Sequence, residues 1–581
     1  MPDGTLRLTC QTELGTYAER TTDWLEIWAA KTPDAVFLAE RSGAGWREVS
    51  YAEARHMTRA IAAGLLDAGL SQGDPILVLS GNSVDHGLLA LAAQYVGLPI
   101  VPLAEQYALI PDAHGQIDFV AKLVKPGLVF AEDGEALGPV LDREVFSKTR
   151  KLVSRGGPPG VLRMDELART TGEIENQMGK VGPETVVKLL MTSGSTSSPK
   201  AVPTTHRMMC SNQAQIAHAL PFLAERPPVI VDWLPWSHVF GGSHNFNMML
   251  ANGGALYIDG GKPTPHLVGK TLENLRLKTG TMAFNVPMGF AMIRDELTRD
   301  AWLRNRYFED LDMLFYAGAS LPQDVWSDLE DMAREVRGDI PLFTSSWGLT
   351  ETAPAVLLQH QPTDRSGVIG VPLPGCEIKL IPDADMRCEV RVKGPNVFER
   401  YLDNPEQTDK AFDEDGFFIT GDAMLFVDPG DPNQGLKFDG RISEEFKLLT
   451  GTWVRVAALR LGVLRALEGL AADVVITGAD RNDIGVMIIP TADLRATVDV
   501  SENEGLMRVP SKEAELRAAL ASIGGSSSTR IARAVILADP PSIAIGEITA
   551  KGNLNSKKIL HSRAALLERL YDDSDEEVIR T

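Results

Sequence analysis

Hydroxyl side chains crowd one short stretch of this chain. Thr192, Ser193, Ser195, Thr196, Ser197 and Ser198 surround Gly194, and Lys200 closes the run. The stretch follows the apolar segment Val186–Leu190, which reads as a strand. A strand that empties into such a turn can aim backbone N–H groups and several hydroxyls at one anion, with an ammonium beside it. Phosphate is the anion this chemistry suits, and on this segment alone an ordinary polar loop stays open as the alternative. Two common nucleotide motifs are excluded by inspection. Gly269-Lys270-Thr271 has Thr264 where a P-loop needs its first glycine, and the spaced glycines of a dinucleotide fingerprint are missing from the hydroxyl-rich stretch. Nor does Ser195 sit in a Gly-x-Ser-x-Gly elbow, which excludes an α/β-hydrolase nucleophile there.

Three further segments carry groups suited to a nucleotide. Thr344-Ser-Ser-Trp-Gly-Leu-Thr-Glu351 follows the strand-like Ile340–Phe343 and offers an aromatic face, a hydroxyl and a carboxylate. Gly416-Phe-Phe-Ile-Thr-Gly-Asp422 ends on a carboxylate able to accept from a diol, and Gly440-Arg-Ile-Ser-Glu-Glu-Phe-Lys447 adds two cations. Together with Thr192–Lys200, these segments resemble the signature motifs of the AMP-forming acyl-CoA synthetases and their adenylating relatives. The resemblance covers essentially the whole chain. It departs at Ser197 and Ala201, where glycines are usual, and at Trp347, where tyrosine is usual.

The resemblance implies a set of roles. Thr192, Ser193, Gly194, Ser195, Thr196 and Lys200 would bind the phosphates of ATP. Ser346, Trp347 and Gly348 would hold the adenine, Thr350 would contact phosphate, and Glu351 would hold Mg²⁺, a hard cation that takes carboxylate and phosphate oxygens. Asp422 and Arg441 would meet the ribose, Ser443 would be the hinge of a mobile small domain, Lys447 would be the lysine of that hinge motif, and Gly451 would open the loop Gly451–Val454 that faces the site for thioester formation. The adenylation lysine is assigned to Lys551, although in Glu547-Ile-Thr-Ala-Lys551-Gly-Asn-Leu-Asn555 the lysine precedes the glycine, with Lys557 and Lys558 as fallbacks. His238, after Trp233-Leu-Pro-Trp236, would gate an acyl site lined by Phe240, Asn245, Tyr316, Gly318 and Ala319, with Phe315–Leu321, Asn245–Met248 and Phe284–Pro287 as the segments that supply its walls. Within the superfamily, Trp-Leu-Pro-Trp-Ser-His, His244-Asn-Phe-Asn-Met, Tyr257-Ile-Asp-Gly and Gly261-Lys-Pro-Thr-Pro look most like the feruloyl-CoA synthase branch. The implied reaction joins a carboxylic acid, such as a hydroxycinnamate, to coenzyme A by way of an acyl-adenylate made from ATP.

The elements that must position these groups are legible in outline. Residues 1–190 alternate helical and strand patterns: an amphipathic helix Tyr51–Ala68 capped by Ser50, a strand Pro75–Leu79, a helix Val84–Tyr95 and a strand Leu98–Pro102. Such alternation indicates parallel strands with crossover helices. It continues through Val229–Trp233, Ala255–Ile258, Thr281–Val286 and Asp312–Tyr316. The expected fold is α/β, a large N-terminal domain (1–440) of mixed and parallel sheets flanked by helices, with a small mobile α+β C-terminal domain (441–581). Asp572–Glu577 reads as a solvated acidic tail.

A chain of 581 residues exceeds one ordinary core. Its formal net charge of −21 excludes a general nucleic-acid binder. Four scattered cysteines suggest neither a disulfide framework nor a zinc site. The N-terminus lacks a signal-peptide pattern, and Gln94, Pro99 and Pro102 break the longest apolar region, Gly87–Ala104, so no membrane span is expected. The expected setting is cytoplasmic, and the assembly anticipated, if any, is a homodimer. Rival readings are a carrier-protein-loading adenylation domain, a luciferase-type oxidising use of the adenylate, and a catalytically silent nucleotide-binding regulator.

Overall fold

The computed structural model describes residues 4–192, 199–549 and 554–581. The chain forms two compact units. The larger comprises Met1–Pro382, Val390–Thr420 and Leu425–Phe438, and the smaller comprises Asp383–Glu389, Gly421–Met424 and Asp439–Thr581. The division is therefore not one cut: two short segments from the earlier chain, one of them carrying Asp422, fold with the smaller unit.

In the larger unit the helix Tyr51–Asp67 begins where Ser50 and Glu53 exchange side-chain and backbone hydrogen bonds, a capping box that satisfies two otherwise orphaned donors. It packs on the helix Val84–Val96, capped by Ser83 Oγ and buried on nearly every side. That second helix delivers the strand Ile100–Pro102, which pairs in parallel with Ile76–Val78. Among the described residues the resulting sheet has seven strands, ordered Lys200–Thr205, Val186–Thr192, Ile100–Pro102, Ile76–Val78, Leu128–Asp133, Arg150–Arg155, Leu162–Arg163. Only the first pair is antiparallel. Parallel strands buried on both faces read as continuous apolar runs, as Ile76-Leu-Val78 does, fully buried.

A second set of parallel strands, Met282–Asn285, Met313–Tyr316 and Leu342–Gly348, forms the end of a larger mixed sheet. The last of these runs further than its apolar start at Leu342 and Phe343 suggests. Ser346, Trp347 and Gly348 pair antiparallel with Leu358, Leu357 and Ala355, so most of the Thr344–Glu351 motif is strand rather than loop. Pairing supplied by a strand that comes later in the chain overrides the local polarity of Thr344-Ser-Ser.

The smaller unit is an α+β layer built on strict alternation. Val474, Ile476, Val486, Ile488, Ala534 and Ile536 face one apolar core with Leu459, Val463, Leu516 and Leu520 from the helices Val456–Ala466 and Pro510–Ser522. Their neighbours Val475, Met487, Ile489, Val535 and Leu537 face a second core with Ile559 and Leu570. Successive side chains on a strand point to opposite faces, so both faces must be covered. Asp572–Glu577 is largely solvated, as expected, but it is not a free tail. Arg569 pairs with Asp575, Val578 is buried, and Ile579–Arg580 adds a strand beside Ala534 and Arg533. The acidic residues sit in turns that bring this last strand back to the sheet. Among the described residues no helix is long and apolar enough to cross a membrane, and all four cysteines are free.

Candidate active site

The hydroxyl-rich segment joins two antiparallel strands, and Thr192 stands directly opposite Lys200 in their register. Both ends of the segment are thus held side by side at the edge of the seven-stranded sheet. Ser193, Gly194, Ser195 and Thr196 lie outside the described residues. Lys200 is half-buried, and its ammonium sits 4.1 Å from the centroid of the Tyr401 ring. Burial lowers its pKa, while the charge of Glu351 acts in the opposite direction.

Glu351 occupies the short turn Thr350–Thr352 after the strand Leu342–Gly348. The turn is fixed from several sides: Leu349 N–H donates to Thr352 Oγ1 at 2.8 Å, and Asn396 Nδ2 donates to Thr352 O at 2.7 Å. Asn212, on the helix His206–Ala219, exchanges two hydrogen bonds with the backbone of Ala355. Gly348 is required sterically, since a Cβ there would lie 1.8 Å from Pro354 O. Ser346 Oγ donates to Leu357 O at 2.7 Å, and Trp347 is nearly buried. Thr350 and Glu351 are buried at 9% and 6% exposure, yet one Glu351 oxygen is already taken: Tyr401 OH donates to Oε1 at 2.9 Å. The acyl-CoA synthetase resemblance implies a magnesium ion here. A single oriented carboxylate with a second oxygen to offer fits a hard cation that draws its remaining ligands from nucleotide phosphates and water. Among the described residues no cluster of three His, Cys, Asp or Glu side chains is placed to hold a metal ion.

A second constellation lies where the strand Val229–Asp232 leads into Trp233-Leu-Pro-Trp236. Residues Phe240–Asn245 form a π-helix, a rare geometry that often marks functional sites. Gly241 and Gly242 let it press on the preceding segment, because a Cβ on either would lie within 2.3 Å of the Leu234 or Trp236 carbonyl. Lys188, from the strand that leads to the hydroxyl-rich segment, donates to Gly242 O at 2.6 Å and to Ser243 Oγ at 3.3 Å. Burial lowers this lysine to about 7.

Phe240, His244, Phe284 and Phe315 pack against one another as an aromatic cluster, with ring centroids 5.1–6.1 Å apart. His244 is 1% exposed, and its Nε2 has no hydrogen-bond partner among the described residues. Its Nδ1 lies 2.8 Å from Asn245 Oδ1, and Asn245 Nδ2 donates to Asp232 Oδ2 at 2.9 Å. Burial drives the His244 pKa down to about 4 and that of Asp232 up to about 7.

Two of the expected acyl-site residues are placed differently from the expectation. Tyr316 is turned to the opposite face of its strand from Phe315: its ring packs edge-on against Trp326 and its hydroxyl accepts from Gly367 N–H at 2.8 Å. Asn245 is fully buried behind His244, with both ends of its amide engaged. His238 is half-buried and its Nδ1 accepts from Phe240 N–H at 3.4 Å, while Gly318 and Ala319 form an exposed turn after the strand Met313–Tyr316. His244, Tyr401 and Lys188 were not singled out from the sequence as site residues, whereas Phe284 and Phe315 lie in the segments Phe284–Pro287 and Phe315–Leu321 expected to line the acyl cleft. His244 carries a readable signal, a histidine beside an asparagine in an apolar run. Tyr401 carries none.

In the smaller unit Asp422 is buried, with Arg441 Nε 3.5 Å from its Oδ1. Arg387 ties Asp439 and Glu445 together around the start of that unit. Ser443 is exposed within the short turn Ile442–Glu444. Lys447 lies 4.8 Å from the Trp453 ring across a hairpin whose turn holds Gly451. Lys551 lies outside the described residues. On its flanks, Ile548 and Leu554 form an isolated bridge, and the fully buried Glu547 pairs with Arg563 at 2.7 Å.

Comparison with known proteins gives this geometry its context. The family profile described as "AMP-binding enzyme" matches residues 25–402. Fatty acyl-CoA synthetase A of Dictyostelium discoideum is 25% identical over 510 residues, spanning 78% of this chain and 73% of its own. The 4-coumarate–CoA ligase 2 of Solanum tuberosum is 25% identical over 408 residues, 67% of this chain and 70% of its own. In fold, the chain resembles an O-succinylbenzoate coenzyme A synthetase from Bacillus subtilis in complex with AMP, at a TM-score of 0.69 and 18% identity over 93% of this chain and 98% of that one. With its profile match spanning most of the chain and its mixed α/β architecture, this protein belongs to the family of AMP-binding enzymes and has the adenylate-forming fold.

Proposed function

We propose that this AMP-forming acid–CoA ligase activates an aromatic carboxylic acid, a hydroxycinnamate such as ferulate, as its acyl-adenylate and passes the acyl group to coenzyme A. The observation that carries the ATP half of this reading is the meeting of Lys200 and Glu351 on one tyrosine. Residues from two motifs, 151 positions apart, offer a cation and a carboxylate to the same place.

In this reading the acid's carboxylate oxygen attacks the α-phosphorus of ATP. The bond to the β-phosphate oxygen breaks, and pyrophosphate leaves. Negative charge grows on the phosphoryl oxygens in that step, and the Thr350 hydroxyl and Lys200 ammonium are the preorganised groups that meet it. Mg²⁺, when held by Glu351, neutralises phosphate charge. Thr192 and the neighbouring hydroxyls of residues 193–196 hold the phosphates, Trp347 stacks the adenine, and Asp422 and Arg441 take the ribose. Lys551 enters for adenylation and withdraws by a turn of the smaller domain about Ser443, after which the thiol attacks the acyl carbonyl and AMP departs.

The aromatic cluster is the wall against which a flat acid would pack in this reading. Asn245 uses its amide nitrogen on Asp232, so its oxygen is the end left for His244. With the amide in this orientation His244 Nδ1 carries the proton, and Nε2 is the acceptor. A ring hydroxyl is a donor that matches it. Incubation of the purified protein with ATP and a panel of carboxylates tests the reading. Acid-dependent pyrophosphate release followed by CoA-dependent AMP release is expected, strongest for hydroxycinnamates. ATP binding without turnover on any acid would overturn it.

A further inference from the structure

Tyr401 stands at a junction that neither phosphate-facing motif contains. Its hydroxyl donates to Glu351 Oε1 at 2.9 Å, and its ring carries the Lys200 ammonium at 4.1 Å. The segment that bears it is stitched to both motifs through the backbone. Phe398 N–H donates to Glu351 O at 2.8 Å, and Leu402 N–H donates to Ala201 O at 3.0 Å. The ring itself is immobilised, with the Phe398 ring 4.8 Å away, the Tyr401 N–H donating to Thr408 Oγ1, and only 5% of the residue exposed.

The chemistry of the two contacts differs, and each answers a separate need. A glutamate has three side-chain torsions to order, and a hydrogen bond made in advance to one carboxylate oxygen leaves the other presented in a fixed direction. Carboxylates that hold metals are commonly oriented this way, and loss of the outer partner weakens metal affinity by about 10–100-fold. A lysine beside a carboxylate tends to collapse onto it. An aromatic face gives the ammonium an alternative seat through its quadrupole.

We propose that Tyr401 is a positioning residue for both motifs at once: its hydroxyl orients Glu351 toward the cation, and its ring face seats Lys200 for the nucleotide phosphates. The proposal rests on the reading of Glu351 and Lys200 as groups that address Mg·ATP.

The two halves separate by substitution in the full-length chain. Tyr401→Phe removes the hydroxyl and keeps the ring, whereas Tyr401→Met fills similar volume with no aromatic face. ATP binding is measured by calorimetry without divalent cation, and Mn²⁺ binding to the ATP-loaded protein is measured by electron paramagnetic resonance, with Glu351→Gln as the reference. For Tyr401→Phe the expected result is cation-free ATP affinity within twofold of the parent and Mn²⁺ affinity lowered about tenfold. Tyr401→Met additionally loses cation-free ATP affinity, by a factor of about 3 or more. If Glu351→Gln weakens Mn²⁺ binding and Tyr401→Phe does not, the orienting role is wrong while the reading of Glu351 stands. If Glu351→Gln itself leaves Mn²⁺ binding unchanged, the reading of Glu351 fails and the proposal falls with it. Equal cation-free ATP affinity in the Phe and Met variants overturns the role of the ring.

Discussion

His244 Nδ1 lies 2.8 Å from Asn245 Oδ1, and in the proposed acyl site this contact sets which ring nitrogen is offered to the acid. In that reading Nδ1 carries the proton and Nε2, beside Phe240, Phe284 and Phe315, is the acceptor. Substituting His244→Phe should therefore raise KM for a 4-hydroxylated cinnamate by about 10-fold or more, since a buried polar pair is worth about 1–3 kcal/mol. Unsubstituted cinnamate should change by less than about threefold. Steady-state pyrophosphate release on the two acids checks this, and equal losses on both would show that His244 only packs.

Glu351→Gln keeps the size of the buried side chain and removes its charge. Acid-dependent pyrophosphate release should fall about 100-fold, with a similar loss for Thr350→Val, because a preorganised group that meets transition-state charge is typically worth about 3 kcal/mol. Near-normal rates in both variants would place the phosphoryl chemistry elsewhere.

Gly348→Ala tests the strand that carries the tryptophan. Its Cβ would sit 1.8 Å from Pro354 O, so the hairpin between Leu342–Gly348 and Ala355–Leu358 must shift. Overpacking of this kind costs about 1–3 kcal/mol. The expected outcome is a lower Tm together with ATP binding weakened by more than tenfold in calorimetry. An alanine variant that binds ATP normally would refute the close approach.

Ile579→Ala should destabilise the smaller unit by about 2–5 kcal/mol, the usual range for a buried isoleucine truncated to alanine. Faster hydrogen exchange in peptides covering Ile531–Leu537 is the readout, since Ile579 pairs with Ala534. Unchanged exchange there would restore the picture of a free tail.

Acid should weaken the larger unit. Burial holds His86 and His244 down at about 4 and His206 at about 3, so these rings stay neutral in the folded chain while unfolded histidines take up protons near 6.5. Between about pH 6.5 and 4 the unfolded state then binds more protons, and stability falls as pH falls. Asp232 acts in the opposite direction, because burial raises it to about 7 and its folded form keeps a proton that the unfolded form releases. Three histidines outweigh one aspartate, so the net loss remains. Eight of the nine tryptophans lie in the larger unit, so tryptophan fluorescence follows its unfolding. The urea midpoint should be lower at pH 5 than at pH 7.5, and a flat or inverted dependence would contradict the burial of these groups.

Much of the architecture was legible in residue order because it is set by neighbours. The alternation of strands and helices from Tyr51 to Pro102 follows from periodicity, from Ser50 and Ser83 as caps, and from runs such as Ile76-Leu-Val78 that suit only a doubly covered strand. The family resemblance came from clustered, unusual residue types, the hydroxyls of Thr192–Ser198 and the Trp-Gly-Leu-Thr-Glu run, whose spacing is itself local. Contacts between distant segments were not legible. Nothing near Tyr401 announces that it will meet Lys200, 201 positions earlier, or Glu351, 50 positions earlier. Nor does Phe315 differ in type from Tyr316 enough to tell which one enters the aromatic cluster. That choice depends on the pleat of one strand and on which layer packs against each face. Local composition sets what a segment can become. Burial, tautomer and the direction of a side chain depend on partners that only the folded chain brings within a few ångströms.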